Sequence, residues 1–274
     1  MRRCLFGALL LVRGSRCWNH LLDFPGAPAL NASSEDFEAY RVQLLSSVHA
    51  SLDEADWELI PSEDDSMAVS TRTDSVSGCP WIRADALLSS PLSNAAPVIV
   101  TNVSSFEAQW DTTLVVNIPV RDDLELTGGA QSVQWHVEHD STFLRDRAYY
   151  LFDGYVWEVE DEVLEDVGTS IHADTAAPEN AEGSHAVRSA QWAWKRLSKV
   201  NDTTTRYEVA WLSDIYGAVP CTTTVSGQAA ALRREISTFR SIIPQDIPQE
   251  QVHTGAVQHV APGGTGLEYP RRAR

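Results

Sequence analysis

One helical stripe near the end of the chain constrains the fold most. From Val225 to Ile243 the apolar side chains fall at Val225, Ala229, Leu232, Ile236, Phe239 and Ile243. The gaps alternate four and three, which lays these residues along one face of a continuous helix. Arg233, Arg234 and Arg240 take the other face. The sequence before it is of the opposite kind. Ala186 to Leu197 and Thr204 to Ser213 read as strands joined by the turn residues Asn201 and Asp202, and Pro220 ends the sheet. A long amphipathic helix arriving straight from a strand pair has to bury its stripe against that sheet. The layout suits a curved sheet closed by a helix, and so a pocket for an apolar molecule.

The rest of the chain supplies the other strands. Ser34 to Leu52 predicts a helix, with Ser34 as cap, Glu35 and Asp36 at its positive end, and Phe37, Tyr40, Leu44, Leu45, Val48 and Leu52 at helical spacing. The acidic stretch Glu54 to Asp65 surrounds a short strand near Trp57. Strands are expected at Val69 to Thr73, at Trp81 to Leu88 and at Gln131 to Val137, where Val133, Trp135 and Val137 share a face. Pro91 starts a short helix through Val100, and Arg145 to Trp157 pairs with Val163 to Ile171 as a hairpin. The order is helix, strands, short helix, strands, helix, which is α+β and antiparallel. Residues 34–243 form one domain, 1–33 are a targeting-like or flexible segment, and 244–274, rich in Gly, Pro and Gln, read as a disordered tail.

Composition narrows the partners. The net charge of −17 over 274 residues repels phosphate backbones, so no nucleic acid is expected. Cys4, Cys17, Cys79 and Cys221 are far apart and form no C-x-x-C pair, which reads as reduced thiols. N-x-[ST] triplets stand at Asn31, Asn102 and Asn201, and such triplets are frequent by chance. Met1 to Leu22 carries four arginines and no acid around a short apolar run. That pattern favours mitochondrial import, with secretory entry or a cytoplasmic protein as alternatives.

No catalytic signature is present: there is no G-x-S-x-G elbow, no G-x-x-x-x-G-K-[ST] loop and no H-E-x-x-H. The expectation is therefore no enzyme, no cofactor and no metal. His136, Glu138, His139 and Asp140 crowd together, but a strand sends His136 and His139 to opposite faces. Solvated polar groups at a loop edge are expected there.

Several marks occur in a telling order. Trp57 follows the first helix, and Trp110-Asp111 follows the short helix. Trp135-His136-Val137 precedes a loop and then Arg145-Asp146. Ala186-Val187-Arg188 opens the strand bearing Trp192, and Asp214, Gly217 and Pro220 lead into the last helix. In these marks the chain resembles the START domain, the lipid-binding module of the steroidogenic acute regulatory type. The resemblance covers Ser34 to Ile243 and implies a helix-grip fold, a curved antiparallel β-sheet wrapped around a long C-terminal α-helix. It also implies binding, transfer or sensing of one lipid of unknown class in a hydrophobic tunnel, by a monomer that touches membranes transiently.

From alternation and matched positions together, Trp135, Tyr150, Arg188, Trp192, Trp194, Trp211 and Leu212 are the expected wall, with Leu232, Ile236 and Phe239 from the helix. Glu107 and Asp111 are the head-group candidates, and Phe143, Leu144 and Tyr216 the gate. Two familiar branches are not matched. The phosphatidylcholine-binding branch places an Arg where this chain has Glu107, and a ring where it has Arg147. The sterol branch places an Arg where Leu151 stands. A helix-grip enzyme and an interaction protein with a filled cavity are the alternatives.

Overall fold

The computed structural model describes residues 26–61, 67–75, 77–101, 109, 111, 114–139, 146–158, 162–171, 176–179, 181, 183, 185–214 and 221–243. Helix α1 spans Ser34–Leu52, followed by strands β1 (Glu58–Ile60), β2 (Met67–Thr73) and β3 (Pro80–Leu88). Helix α2 (Leu92–Thr101) leads to β4 (Leu114–Leu124), β5 (Gly129–Glu138), β6 (Arg147–Glu158) and β7 (Val163–Ile171). Strands β8 (Val187–Arg188), β9 (Ala190–Asn201) and β10 (Thr204–Asp214) complete the sheet, and helix α3 (Val225–Ile242) is the last element among the described residues. The sheet runs β1-β2-β3-β10-β9-β7-β6-β5-β4, antiparallel throughout, with β8 alone pairing parallel to β6. It is a curved sheet with a C-terminal helix, the α+β helix-grip architecture that the sequence predicts.

Local chemistry explains most boundaries. The cap of α1 is Ser33, one residue before the expected Ser34. Asp36 lies three residues after Ser33 and closes a capping box with it, at 3.2 Å and 3.1 Å. Ser34 instead accepts the Glu125 amide at 3.0 Å. The expected strand from Ala186 to Leu197 divides into β8 and β9, because Val187 and Arg188 pair with β6 while Ala190 onward pairs with β7 and β10. Strand β4 carries no clear signal in the sequence. Pro119 and three register shifts break its alternation, a pattern tolerated because β4 ends the sheet.

The cysteine expectation is overturned. Cys79 and Cys221 form a disulfide, with Cα atoms 5.4 Å apart and a sequence separation of 142. Pairing depends on distance in space, and β3 begins beside the turn that enters α3. The bridge therefore ties the N-terminal end of α3 to the sheet.

Two apolar cores lie on opposite faces of the sheet. On one, Phe37, Tyr40, Leu44 and Val48 of α1 pack with Trp81, Val133, Trp135, Phe152, Val167 and Leu212. On the other, Ala229, Leu232, Ile236 and Phe239 of α3 pack with Ile82, Ala84, Leu88, Leu164, Leu197, Tyr207, Val209 and Trp211, joined by α2.

Candidate functional site

The face beneath α3 can be followed across the strands by register. Tyr155 of β6 pairs with Asp166 of β7, which pairs with Lys195 of β9, which pairs with Val209 of β10 and then Ala84 of β3. Two rows further along the same face come Leu151, Ser170, Gln191 and Ser213. Paired residues point to one side of a sheet, so all of these share the α3 side. The face is apolar along β3 and β10 and increasingly polar toward β5 and β6.

Its centre is a buried ionic cluster. Glu235 of α3 has no exposed surface. Its Oε1 accepts the Tyr207 hydroxyl at 2.5 Å and lies 3.2 Å from Lys195 Nζ, while its buried Oε2 has no hydrogen-bond partner. Asp166, also buried, leaves Oδ1 without a partner. Burial raises the Asp166 pKa; Lys195 and a hydrogen bond with Asp153 oppose that, while Glu235 and Glu165 add to it. Burial likewise holds the Tyr207 hydroxyl well above its ordinary value, reinforced by Glu235. Tyr207 also stacks edge-on against Phe239, with ring centroids 5.0 Å apart.

A second polar group lies toward β5. The Tyr149 hydroxyl, which has one proton to donate, lies 2.7 Å from Glu138 Oε1 and 2.9 Å from Gln191 Oε1, and His136 Nε2 is 3.1 Å from Glu138. Burial by itself would raise the Glu138 carboxyl, but the hydrogen bond and charge of His136, then Tyr149 and Arg147, lower it overall. His136 is 1% exposed, so this is a buried group and not the solvated loop edge expected. Asp111, His136 and Glu138 offer donor atoms within 4.8 Å of one another, a set that suits a divalent cation. The nearby Arg147 guanidinium competes with any cation there. His139 takes no part and bonds Asp146 at 2.7 Å.

No protein-family model matches the chain, and no curated protein matches it. Solved structures do. Human StAR-related lipid transfer protein 5 superposes with a TM-score of 0.61 at 13% identity, over 80% of this chain and 99% of its own. Human STARD10 gives 0.58 at 12%, over 81% and 82%. The lipid transfer and protein localization domain of human StarD13 (DLC2) gives 0.54 at 14%, over 74% and 96%. The fold is START-like.

On this START-like frame the expected wall residues divide between two surfaces. Trp211, Leu232, Ile236 and Phe239 lie in the core beneath α3. Trp135, Tyr150, Trp192, Trp194 and Leu212 lie in or against the α1 core, on the other face. Adjacent residues such as Trp211 and Leu212 cannot share a face, and register puts Trp192 opposite Leu212. Arg188 belongs to β8, and Asp111 stands half-buried near His136. Glu107, Phe143, Leu144 and Tyr216 lie outside the described residues, as do Met1 to Leu22 and the tail from Pro244. The polar groups Glu235, Lys195 and Asp166 were missed. Glu235 follows Leu232 by three positions and precedes Phe239 by four, so its place on the buried stripe was readable.

Proposed function

We propose that the protein binds one lipid between α3 and the sheet face beneath it, and carries or senses that lipid without altering it. The observation that supports this most is the START-like fold over 80% of the chain, shared with a protein whose name describes lipid transfer. The physics is consistent. Each methylene taken from water gains about 0.8 kcal/mol, and a few polar groups at one end fix orientation. Because the Cys79–Cys221 bridge holds the start of α3, exchange opens through the C-terminal part of that helix, at a membrane, by a monomer. Native mass spectrometry of the protein after exposure to cell lipids tests the reading. One retained lipid per chain, and movement of a labelled lipid between vesicles, are expected; a chain that does neither refutes it.

A second reading, a helix-grip enzyme, is favoured by the ionisable groups on the same face, above all Asp166 with its raised pKa. The recovered lipid separates the two. An unchanged mass supports a carrier, and a mass-shifted product supports the enzyme.

The address is proposed on other grounds. A buried disulfide belongs to an oxidising compartment. Asn31 and Asn201 stand exposed in their N-x-[ST] triplets. Both favour secretory entry over the mitochondrial import that Met1 to Leu22 suggests. Endoglycosidase treatment of the full chain expressed in a eukaryotic cell tests this, with a downward shift in mass expected and an unchanged mass refuting it.

A further inference from the structure

The α3-facing surface holds more acid than its own cations balance. Asp153, Asp166 and Glu235 meet there with one ammonium, Lys195, and the hydroxyls of Tyr155 and Tyr207. Asp153 and Tyr155 reach the group from β6, Asp166 from β7, Lys195 from β9, Tyr207 from β10 and Glu235 from α3. Lys195 and Tyr207 both serve the same Glu235 oxygen, Oε1. That leaves two carboxylate oxygens, Glu235 Oε2 and Asp166 Oδ1, buried and without a hydrogen-bond partner. Buried carboxylate oxygens are almost always bonded, so an open pair marks a place where a donor belongs. Both acids lie between the sheet face and α3, where the reading above puts the lipid.

We propose that Asp166 and Glu235 receive the protonated amine of the bound lipid, so that the ligand is a long-chain base or similar amine-bearing lipid with no phosphate in the pocket. This rests on the lipid-binding reading above and adds the head-group class. A primary ammonium carries three N–H donors in a compact head, enough for both open oxygens with one to spare. It also brings the positive charge that the cluster lacks. A phosphate head would set its charge against three acids, with Lys195 the cation on this face and Arg41 acting on Asp166 from the α1 side. Burial is the first cause of the raised Asp166 pKa, and an ammonium placed beside that carboxyl would offset it.

The test compares three probes of equal chain length, octadecylamine, octadecanol and octadecanoic acid, by competition in native mass spectrometry at pH 7 with the full chain. The amine is protonated there, as a lysine side chain is. Amine over alcohol by about tenfold or more is expected, the worth of one charge-assisted hydrogen bond made in place of an open acceptor. The acid should bind least. Asp166→Asn and Glu235→Gln each keep side-chain shape and remove a charge, and each should bring the amine-to-alcohol ratio down toward one. Octadecanol binding as well as octadecylamine overturns the head-group inference and leaves lipid binding standing. Failure of all three chains to bind overturns both. A preference for the amine that survives in both variants places recognition elsewhere and overturns the assignment to Asp166 and Glu235.

Discussion

Removing the Cys79–Cys221 bridge, as Cys79→Ala with Cys221→Ala, should destabilise the protein by an amount set chiefly by loop length. The cross-link closes a loop across 142 residues. Loop-closure entropy for that length is about 17 cal/mol/K, which is about 5 kcal/mol at 25 °C as a ceiling. Native bridges typically deliver about 2–4 kcal/mol, against a total stability of about 5–15 kcal/mol for a domain. For a domain of this size the melting midpoint should fall by about 5–15 °C. The urea slope should rise as well, because the unlinked chain exposes more surface when unfolded. The sulfurs are buried, so the folded protein should resist reductant and lose the bridge only through unfolding. The assay is urea unfolding of the oxidised protein and the double variant, with thiols titrated in denaturant without reductant. The oxidised protein should show no more than two thiols, those of Cys4 and Cys17, out of four cysteines. Four titratable thiols, or identical midpoints for the two proteins, would refute the reasoning.

Three further outcomes follow from the packing. Asp166 has its pKa raised in the folded state, so it weakens the fold as pH climbs above its unfolded value, near 3.8, toward the folded one. Asp166→Asn should therefore raise the urea midpoint at pH 7 and change it little at pH 3; an equal effect at both would contradict the assigned burial. At Gly129 a Cβ would come within 1.9 Å of the Tyr155 carbonyl oxygen, so Gly129→Ala should force β5 from β6 and lower soluble yield and melting temperature sharply, while Gly227→Ala, with open space around it, should not. Phe239→Ala and Trp135→Ala each empty a fully buried site and should cost about 3–5 kcal/mol by denaturant unfolding. Lipid retention should drop with the first and not with the second, because the two lie on opposite faces of the sheet; equal losses would show that the α1 core also holds ligand.

Much of this was legible along the chain. The stripe of α1 and the 225–243 stripe follow from contacts within three or four residues, the cap of α1 was placed one residue late, and most strands follow from alternation over six or more. The marks from Trp57 to Pro220 carried the START resemblance, and the fold agrees. Apart from Glu235, whose spacing places it on the α3 stripe, the cluster was not legible, because its other members come from β6, β7, β9 and β10 and meet only in the folded sheet. The placing of Trp135, Tyr150, Trp192, Trp194 and Leu212 on the face away from α3 was hidden for the same reason. Alternation says which residues of a strand share a face, but not which face.

What the sequence determined by itself was most of the elements and their order, all but β4 and the break between β8 and β9, since local periodicity and capping are short-range properties. Which side of the sheet each strand shows to α3 was decided only by register, a long-range property fixed when strands far apart in the chain pair. The same holds for the 142-residue disulfide loop and for two buried carboxylates brought together without enough donors. The α3 stripe shows both sides of this. Its spacing announced a helix gripping a sheet with Glu235 on the buried side, and only the assembled fold showed that Tyr207 and Lys195 meet that carboxylate.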